Sequence, residues 1–520
     1  MFAIVMNIAA GHPDALICVC PAASLCYSKG GQNETSRFSS SFPNEEDCMT
    51  ISAEKEGAGG YPPHPRHARR ERVALAAIIL VGMLIRAAVP LLAFSLAHDK
   101  TSFHSLDTLS YIEPAQSLIS RGDFSRHDKP ETIRTPGYPL FLLPGLALHS
   151  VEFVTIVLQI IASGFTIYFA YSITRLVTGE PRAGLIAASL FACEPLSIIW
   201  TSIVQSETLF ATLLMGGVLF WLRYMQRSLW TDMLACSLFL VSAIYVRPAA
   251  YFLPVVLALF SMARGLLTRS FSRTLASQTI VFMVLCYAVV GIWQVRNGLV
   301  SGYWGFSAVS ENNLYFFAAT TVMAELTKRP YEEQRRLMIA DRPPSPTGSA
   351  SPSDIPEKEL RRYRSAKAVE IILGHPIEYA RVVVVSALWT LAGPAIGTWL
   401  EVFRLLPPDT AHRATEDDKF YYLRAAAWSR VGSVFLGIVL GIYWCAAFVG
   451  AGRMLYDKKW EFFLLLLVMA YFVLSPALLC IGYSRFRHPV MPIVSIFAGY
   501  GVWFLSTRWL KRRGRLSVPV

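Results

Sequence analysis

The segment VALAAIILVGMLIRAAVPLLAFSLA, residues 73–97, decides the fold class. It carries a single charged residue, Arg86, and as a helix it is long enough to cross the roughly 30 Å hydrocarbon core of a bilayer. A helix satisfies its own backbone hydrogen bonds, so apolar segments of this length mark transmembrane helices. Similar segments follow along the chain, and the sequence predicts an all-α polytopic membrane protein. The further predicted spans are about 150–174, 183–203, 207–225, 231–247, 249–267, 275–295, 428–450, 460–482 and 489–509.

The composition supports a membrane protein and argues against nucleic-acid binding. Of the 520 residues, 54% are hydrophobic and 16% are charged, whereas soluble domains carry about 25% charged residues. The net charge of +12 comes largely from basic runs at the ends of the predicted spans, such as PRHARRER (65–72) and LKRRGR (510–515). The positive-inside rule explains such runs and places both chain ends in the cytosol.

Three regions are predicted: a disordered cytosolic tail over residues 1–72, a multi-span domain over 73–510, and a basic cytosolic tail over 511–520. Translation starting at Met49 is an alternative to the long tail. The segment 375–403 is apolar enough to span, but one crossing there would reverse the charge rule downstream. The segment is a pair of short helices or a re-entrant or interfacial segment, or else the positive-inside rule does not hold for this chain. In total we expect 10–13 membrane helices. The outer loops are predicted at 98–149, 296–376 and 404–427.

The first of these loops is unusually polar. It contains DTLSYIEPAQSLISRGDFSRHDKPETIRTPGYPLFL, residues 107–142. Asp107 heads a stretch with helical spacing of its apolar residues, and Arg134 precedes a turn stiffened by prolines. A carboxylate and a guanidinium therefore share one outer loop near the lipid headgroups. Asp107 as a carboxylate at a helix N-terminus and Arg134 as a headgroup anchor are the alternatives.

Five motifs in order carry a family resemblance. They are D-x-x-x-Y-x-x-x-A with G-D-F-S and R-T-P-G-Y-P-L-F in the first loop, SETLFATLL (206–214), IYVRPAAYFLP (244–254), WQVRNGLVSGYWGFSAVSENNLY (293–315) and SRFRHPVMPIVSIFAGYG (484–501). Together they resemble the polyprenyl-phosphate-sugar-dependent glycosyltransferases of the GT-C class. That class includes the aminoarabinose transferases and the bacterial relatives of protein O-mannosyltransferases. The resemblance covers roughly residues 73–510 and does not specify the sugar.

The resemblance implies roles for individual residues. Asp107 matches an essential aspartate that acts on the acceptor, or coordinates a metal ion or the reacting centre. Arg134 matches a cation that contacts the donor phosphate, and Glu207 matches an acidic residue taken here as a second catalytic group. A guanidinium binds phosphate through paired donors, and a carboxylate can accept a proton from a hydroxyl. The candidate substrate-binding residues are Arg134, Tyr111, Tyr138, Arg86, Arg247, Arg485 and Arg487.

Several arginines have a second interpretation. Arg86 lies mid-span, where an unpaired charge costs about 2.5–3.5 kcal/mol, so pairing with Glu194 or Glu207 is the alternative to contact with a lipid phosphate. Arg485 and Arg487 bind either the donor phosphate or lipid headgroups.

The sequence thus favours a glycosyltransferase that moves a sugar from a polyprenyl-phosphate carrier to a lipid, protein or glycan acceptor. We expect it in a bacterial inner membrane with the site facing the periplasm, and we expect no nucleic-acid partner. No cofactor is indicated with certainty, and a divalent metal ion is left open. The alternatives are a transporter or lipid flippase and a non-catalytic scaffold. A transporter should concentrate polar groups at the membrane midplane, whereas most charges here lie in the outer loops.

Overall fold

The computed structural model describes residues 65–343, 357–405, 427–479 and 482–513. The α-helices are α1 Pro65–Ala97, α2 Thr108–Arg121, α3 Gly137–Ala147, α4 Val151–Thr178, α5 Pro181–Ala192, α6 Pro195–Trp200, α7 Glu207–Arg227, α8 Trp230–Val246, α9 Leu253–Leu267, α10 Arg273–Ser301, α11 Val309–Asn313, α12 Thr320–Thr327, α13 Tyr331–Ala340, α14 Glu357–Gly374, α15 Pro376–Ala392, α16 Ile396–Val402, α17 Ala427–Tyr456, α18 Trp460–Leu479 and α19 Met491–Arg512. Short 3₁₀ turns cover Lys100–Phe103, Pro248–Ala250 and Ser484–Val490, and a π-helical turn covers Leu314–Ala319. The strands β1 Ser125–Arg126 and β2 Lys129–Pro130 form one small antiparallel hairpin.

The prediction of an all-α polytopic membrane protein is confirmed. Eight helical segments among the described residues are long and apolar enough to cross a membrane, or nine if the bent pair α14–α15 counts as one span. Shorter apolar helices occupy 137–147, 181–192 and 230–246. The ten predicted spans are all largely helical, and two of them, 183–203 and 231–247, are shorter helices than expected.

The predicted span 183–203 is divided where Glu194 and Pro195 interrupt it. Pro195 cannot donate a backbone hydrogen bond, so it starts a new helix at a position where no donor is needed. The Glu194 carboxylate caps that helix by accepting from the backbone N–H groups of Leu196 and Ser197. The chain therefore forms α5 and the one-and-a-half-turn α6 instead of one crossing.

The ambiguous segment 375–403 forms two helices, α15 and α16. Helix α15 meets α14 at a bend of 98° next to Pro376. The region predicted as the second outer loop is largely helical, because α11–α14 pack around their own small apolar core. That core contains Tyr315, Ala319, Val322, Met338, Ala368 and Ile371 together with Val382 of α15.

The described residues all belong to one unit, Pro65–Val520. Its core is built mainly from α4, α5, α7 and α19, and small residues allow the closest approaches. A Cβ at Gly499 would lie 2.6 Å from the Ala187 backbone nitrogen, so glycine is needed where α19 crosses α5. Residues 65–72, predicted as tail, are the first turns of α1. The predictions for residues 1–64 and for most of 404–427 fall outside the described residues.

Candidate active site

Asp107 lies between two arginines from distant parts of the chain. Its Oδ1 is 2.7 Å from Arg134 Nη2, and its Oδ2 is 3.0 Å from Arg485 Nη1. Asp107 immediately precedes α2, but its carboxylate faces these guanidiniums rather than the N–H groups of the helix. The geometry therefore favours a site residue over a simple helix cap.

The two arginines control the ionisation of Asp107. Burial alone would raise the pKa of its carboxyl, but the charges of Arg134 and Arg485 outweigh burial and hold the pKa well below its usual range. Asp107 is therefore ionised at neutral pH. It is also a weak proton acceptor while both arginines remain bound to it, since base strength follows the pKa.

Arg134 is fixed in one orientation by its neighbours. Its Nε donates to Ser110 Oγ at 2.9 Å, its Nη1 donates to the Tyr111 hydroxyl at 3.1 Å, and the guanidinium stacks over the Tyr111 ring at 4.5 Å. Its backbone N–H donates to the buried Glu131 carboxylate. Burial would lower the pKa of Arg134, but Tyr111 and Asp107 outweigh that effect and raise it. The side chain is thus a preorganised permanent cation.

The turn after Arg134 depends on a glycine. Helix α3 begins at Gly137, where a Cβ would come within 2.5 Å of the backbone carbonyl carbon of Tyr245. Only glycine lets α3 lie this close to the end of α8. The close contact sets the position of the loop that carries Arg134.

A second carboxylate–arginine pair lies beside the first. Glu207, the first residue of α7, has an oxygen 2.5 Å from Arg247 Nη1, and its side chain is only 3% exposed. Arg247 follows the last residue of α8 and precedes the 3₁₀ turn, so its side chain lies at the helix end. Ser206 Oγ lies 3.4 Å from both Arg247 Nη1 and the Tyr111 hydroxyl. The two pairs therefore belong to one polar network.

Gln205 lies between the two carboxylates and was not anticipated from the sequence. With its amide oxygen accepting from Ser105 Oγ at 2.5 Å, its amide nitrogen lies 3.3 and 3.0 Å from the two Glu207 oxygens. In the opposite amide orientation the nitrogen takes the place of that oxygen and donates to Asp107 Oδ2 at 3.4 Å instead, so the amide bonds to one carboxylate at a time. Gln205 is uncharged and lies between two predicted spans, so the sequence indicated no role for it beyond its position near Glu207.

These arginines border a cavity of about 450 Å³. Arg134, Arg247 and Arg485 supply its charge, while Asp107 is bound to two of them and is not itself among the lining residues. Much of the remaining wall is aromatic: Tyr111, Phe210, Tyr251, Phe252, Phe306, Tyr471, Phe472 and Phe486. A cavity with guanidiniums on one part of its wall and rings on the rest suits an anionic group attached to an apolar or sugar moiety.

Of the predicted binding residues, the structure brings together Tyr111, Arg134, Arg247 and Arg485 at this cavity. The ion pair between Asp107 and Arg134 joins the carboxylate and the guanidinium that the sequence placed in the first outer loop. Its pairing with Arg485 joins residues 378 positions apart, a contact that no local pattern could predict.

Four other predicted residues do not line the cavity: Tyr138, Arg487, Glu207 and Arg86. Tyr138 is fully buried and donates its hydroxyl to Gln159 Oε1 at 3.0 Å, so it supports the Tyr111 ring rather than a substrate. Arg487 is also buried and donates to the carbonyls of Thr390 and Leu391. Glu207 reaches the cavity wall through its ion pair with Arg247, and we propose that it positions this arginine.

Arg86 makes its hydrogen bonds to backbone carbonyls, while Glu194 lies close enough to attract its charge. Its guanidinium is fully buried and donates to the backbone carbonyls of Gly82, Ala192 and Phe191, at 3.1, 2.6 and 3.0 Å. Two of these carbonyls are free to accept because α5 ends there, before the Glu194–Pro195 break. Arg86 therefore stabilises the broken span and lies away from the cavity.

Arg296 and Asn297, a motif without an assigned role in the sequence, hold the outer loops together. Arg296 donates to the carbonyls of Glu131 and Phe124, at 2.9 and 2.7 Å. Asn297 donates to the carbonyls of Gly305 and Phe306, at 3.0 and 3.1 Å. The pair thus anchors both the loop that leads to Arg134 and an aromatic wall of the cavity.

The residues at the site do not fit a divalent metal ion. Both oxygens of Asp107 are bound by guanidiniums, and three or more His, Cys, Asp or Glu side chains converge nowhere in the described part of the chain. Divalent cations such as Mg²⁺ are held by carboxylate and carbonyl oxygens.

Known structures share this architecture. The archaeal oligosaccharyltransferase AglB from Archaeoglobus fulgidus, in complex with an inhibitory peptide and a dolichol-phosphate, matches with a TM-score of 0.50 and 12% identity, over 86% of this chain and 52% of that one. The chain has the GT-C fold. The apo form of the A. fulgidus oligosaccharyltransferase matches with a TM-score of 0.49 and 13% identity, over 85% of this chain and 51% of that one. ArnT from Cupriavidus metallidurans, bound to undecaprenyl phosphate, matches with a TM-score of 0.37 and 15% identity, over 82% and 78%.

The sequence comparison points the same way as the GT-C fold. A family model described as dolichyl-phosphate-mannose-protein mannosyltransferase matches residues 128–293, which include Arg134, Glu207 and Arg247 but neither Asp107 nor Arg485. The resemblance to the GT-C class is thereby confirmed. No curated protein matches significantly. The chain spans about half the length of the archaeal oligosaccharyltransferase chains that it matches.

Proposed function

We propose that this protein is a glycosyltransferase that moves a sugar from a polyprenyl-phosphate carrier to an acceptor at the outer face of the membrane. The observation that carries the proposal is the cavity bordered by Arg134, Arg247 and Arg485, with the Asp107 carboxylate bound to two of them. The matched family and the lipid phosphates bound in the similar structures support the same donor class.

The proposed reaction is a displacement at C1 of the donor sugar. An acceptor hydroxyl forms the new bond to C1 while the bond from C1 to the phosphate oxygen breaks. The electron pair leaves with the polyprenyl phosphate, where the guanidiniums stabilise the added negative charge. Preorganised charges of this kind contribute about 10²–10³ in rate each, and these arginines are held in place before the donor enters.

Asp107 takes the proton of the acceptor hydroxyl in this mechanism. In the structure its arginine partners make it a weak base, so donor binding has a second effect. A phosphate that draws Arg134 and Arg485 away from Asp107 leaves the carboxylate less neutralised and raises its proton affinity. The base therefore becomes effective only when the donor is in place.

The test is consumption of radiolabelled polyprenyl-phosphate sugars in proteoliposomes by the wild type, Asp107→Asn and Asp128→Asn. Asparagine keeps the shape of Asp107 but cannot accept the proton, so we expect a loss of about 10²–10⁴. Asp128 is the matched control, because its exposed side chain, in the turn of the loop hairpin, pairs with Arg121 at the end of α2. Equal turnover by wild type and Asp107→Asn would remove Asp107 from the chemistry. Transbilayer movement of the lipid without sugar release would favour a flippase.

A further inference from the structure

The cavity wall carries positive charge only. Arg134, Arg247 and Arg485 are the charged residues among the described residues that line it, and the rest of the lining is neutral. The neutral polar groups include Gln294, Ser307, Ser310, Asn313 and Ser475. A group that enters this space therefore meets guanidiniums, hydroxyls, amides and rings.

The two nearby carboxylates are already bound to these arginines. Asp107 pairs with Arg134 and Arg485, and Glu207 pairs with Arg247. In the part of the chain that the structure describes, these three guanidiniums and two carboxylates leave one positive charge, which equals the single negative charge of a phosphodiester. A donor whose only charge is that of its phosphate therefore brings the net charge of the site to zero.

Aromatic rings can hold a cation without a carboxylate, but three rings of this wall already face arginines. Arg134 lies over Tyr111 at 4.5 Å, Arg247 over Phe210 at 5.8 Å and Arg485 over Phe486 at 5.0 Å. A second cation at these rings would lie next to a guanidinium. The rings farther from the arginines, such as Tyr251 and Phe306, can contact the apolar face of a sugar.

We propose that the donor sugar of this enzyme is uncharged and that the cavity discriminates against sugars bearing a protonated amino group. The proposal rests on the proposed function, since it takes the cavity to hold the donor. Among the described residues, an ammonium group would add a positive charge to a site that the donor phosphate has already brought to zero net charge, and the transfer of arginines from Asp107 to the phosphate does not change that sum. Desolvating a charge that the site does not neutralise is costly.

The test uses a matched pair of donors and measures their affinity for the protein in nanodiscs. One is polyprenyl-phosphate 4-amino-4-deoxyarabinose, and the other is the same lipid with its amine acetylated, which removes the charge. Polyprenyl-phosphate mannose and sugar-free polyprenyl phosphate complete the set. We expect mannose and acetylated donors to bind at least about tenfold more tightly than the amino donor, as a like-charge contact near a protein surface implies.

The outcomes separate the two proposals. Binding of the amino donor equal to or tighter than that of its acetylated form overturns the charge selection, while the donor site stands. If sugar-free polyprenyl phosphate binds and the three sugar-bearing lipids do not, the charge selection is also overturned, because the cavity then has no place for the sugar. If none of the four lipids binds, the proposed function fails and the selection fails with it.

An isosteric variant tests the electrostatic cause. Asn313→Asp adds a carboxylate to the cavity wall without changing the size of the side chain. We expect this variant to bind the amino donor about tenfold more tightly than the wild type does, with little change for the acetylated donor. An unchanged ratio of the two affinities would contradict an electrostatic origin.

Discussion

At the scale of single residues, the site consists of charges that restrain one another. Asp107 is held by Arg134 and Arg485, and Arg247 is held by Glu207. Arginine suits both tasks, because its planar donors can bind a carboxylate in the empty site and a phosphate in the loaded one. In the proposed mechanism, exchange of the carboxylate for the phosphate couples donor binding to the activation of Asp107.

This arrangement predicts how stability depends on pH. The charges of Arg134 and Arg485, acting against burial, hold the pKa of Asp107 well below its ordinary 3.8. A carboxyl with a depressed pKa contributes stability that is present above the ordinary value and lost as the pH falls toward the folded-state value. The melting temperature of the wild type should therefore exceed that of Asp107→Asn by a constant amount from about pH 7 to 5, and by less below about pH 4.

Thermal unfolding in detergent over this pH range measures the difference. Asp128→Asn serves as the control and should follow the wild type throughout, since Asp128 is exposed and pairs with an exposed arginine. A difference that disappears already between pH 7 and 5 would mean that the pKa of Asp107 is raised rather than lowered.

At the scale of helices and loops, the position of the site follows from where helices end. Asp107 precedes α2, Arg134 precedes α3, Glu207 begins α7 and Arg247 follows the last residue of α8. The sequence singled out these four positions mainly through their match to motifs of the GT-C class, together with the helical spacing after Asp107 and the proline turn after Arg134. It did not predict the contact with Arg485, since pairing across 378 residues depends on packing that no local pattern encodes.

Other local patterns misled for physical reasons. Residues 183–203 are mostly apolar, so their mean hydropathy conceals the break that Glu194 and Pro195 introduce. For Arg86 the sequence left open a carboxylate partner or a lipid phosphate, and it did not indicate that the same break presents backbone carbonyls that accept its hydrogen bonds.

Close packing at Gly137 gives a prediction at this scale. In Gly137→Ala the new Cβ would meet the backbone of Tyr245, so α3 must move and carry Arg134 away from its partners. Overpacking of this kind costs about 1–3 kcal/mol of stability, and donor turnover should fall about tenfold or more.

Gly291→Ala is the matched control, because a Cβ there meets nothing within 4 Å. Sugar-transfer rates and melting temperatures of both variants test this, and an unaffected Gly137→Ala would show that the α3–α8 contact does not position Arg134.

At the scale of the whole molecule, the site lies at one end of the membrane bundle. Ser475 and Leu479, in the last turns of α18, line the cavity, whereas the turn at Lys458 precedes the start of the same helix. A helix of 20 residues is about 30 Å long, so Lys458 and the cavity lie near opposite membrane faces. We propose that Lys458 faces the cytosol and the cavity faces outside, as the distribution of basic residues favours.

Cysteine labelling in intact cells tests this orientation. We expect a membrane-impermeant maleimide to label Asp128→Cys, in the exposed hairpin of the first loop, and to label Lys458→Cys only after permeabilisation. The unsubstituted protein measures labelling of the native cysteines. The reverse pattern would place the cavity in the cytosol.

The most direct test of the central claim is a structure of the protein with bound polyprenyl phosphate. The account predicts the phosphate in the cavity, within hydrogen-bonding distance of at least two of Arg134, Arg247 and Arg485, with Asp107 released from at least one arginine. A phosphate bound elsewhere, for example beside Arg487, with the pairs of Asp107 intact, would contradict it.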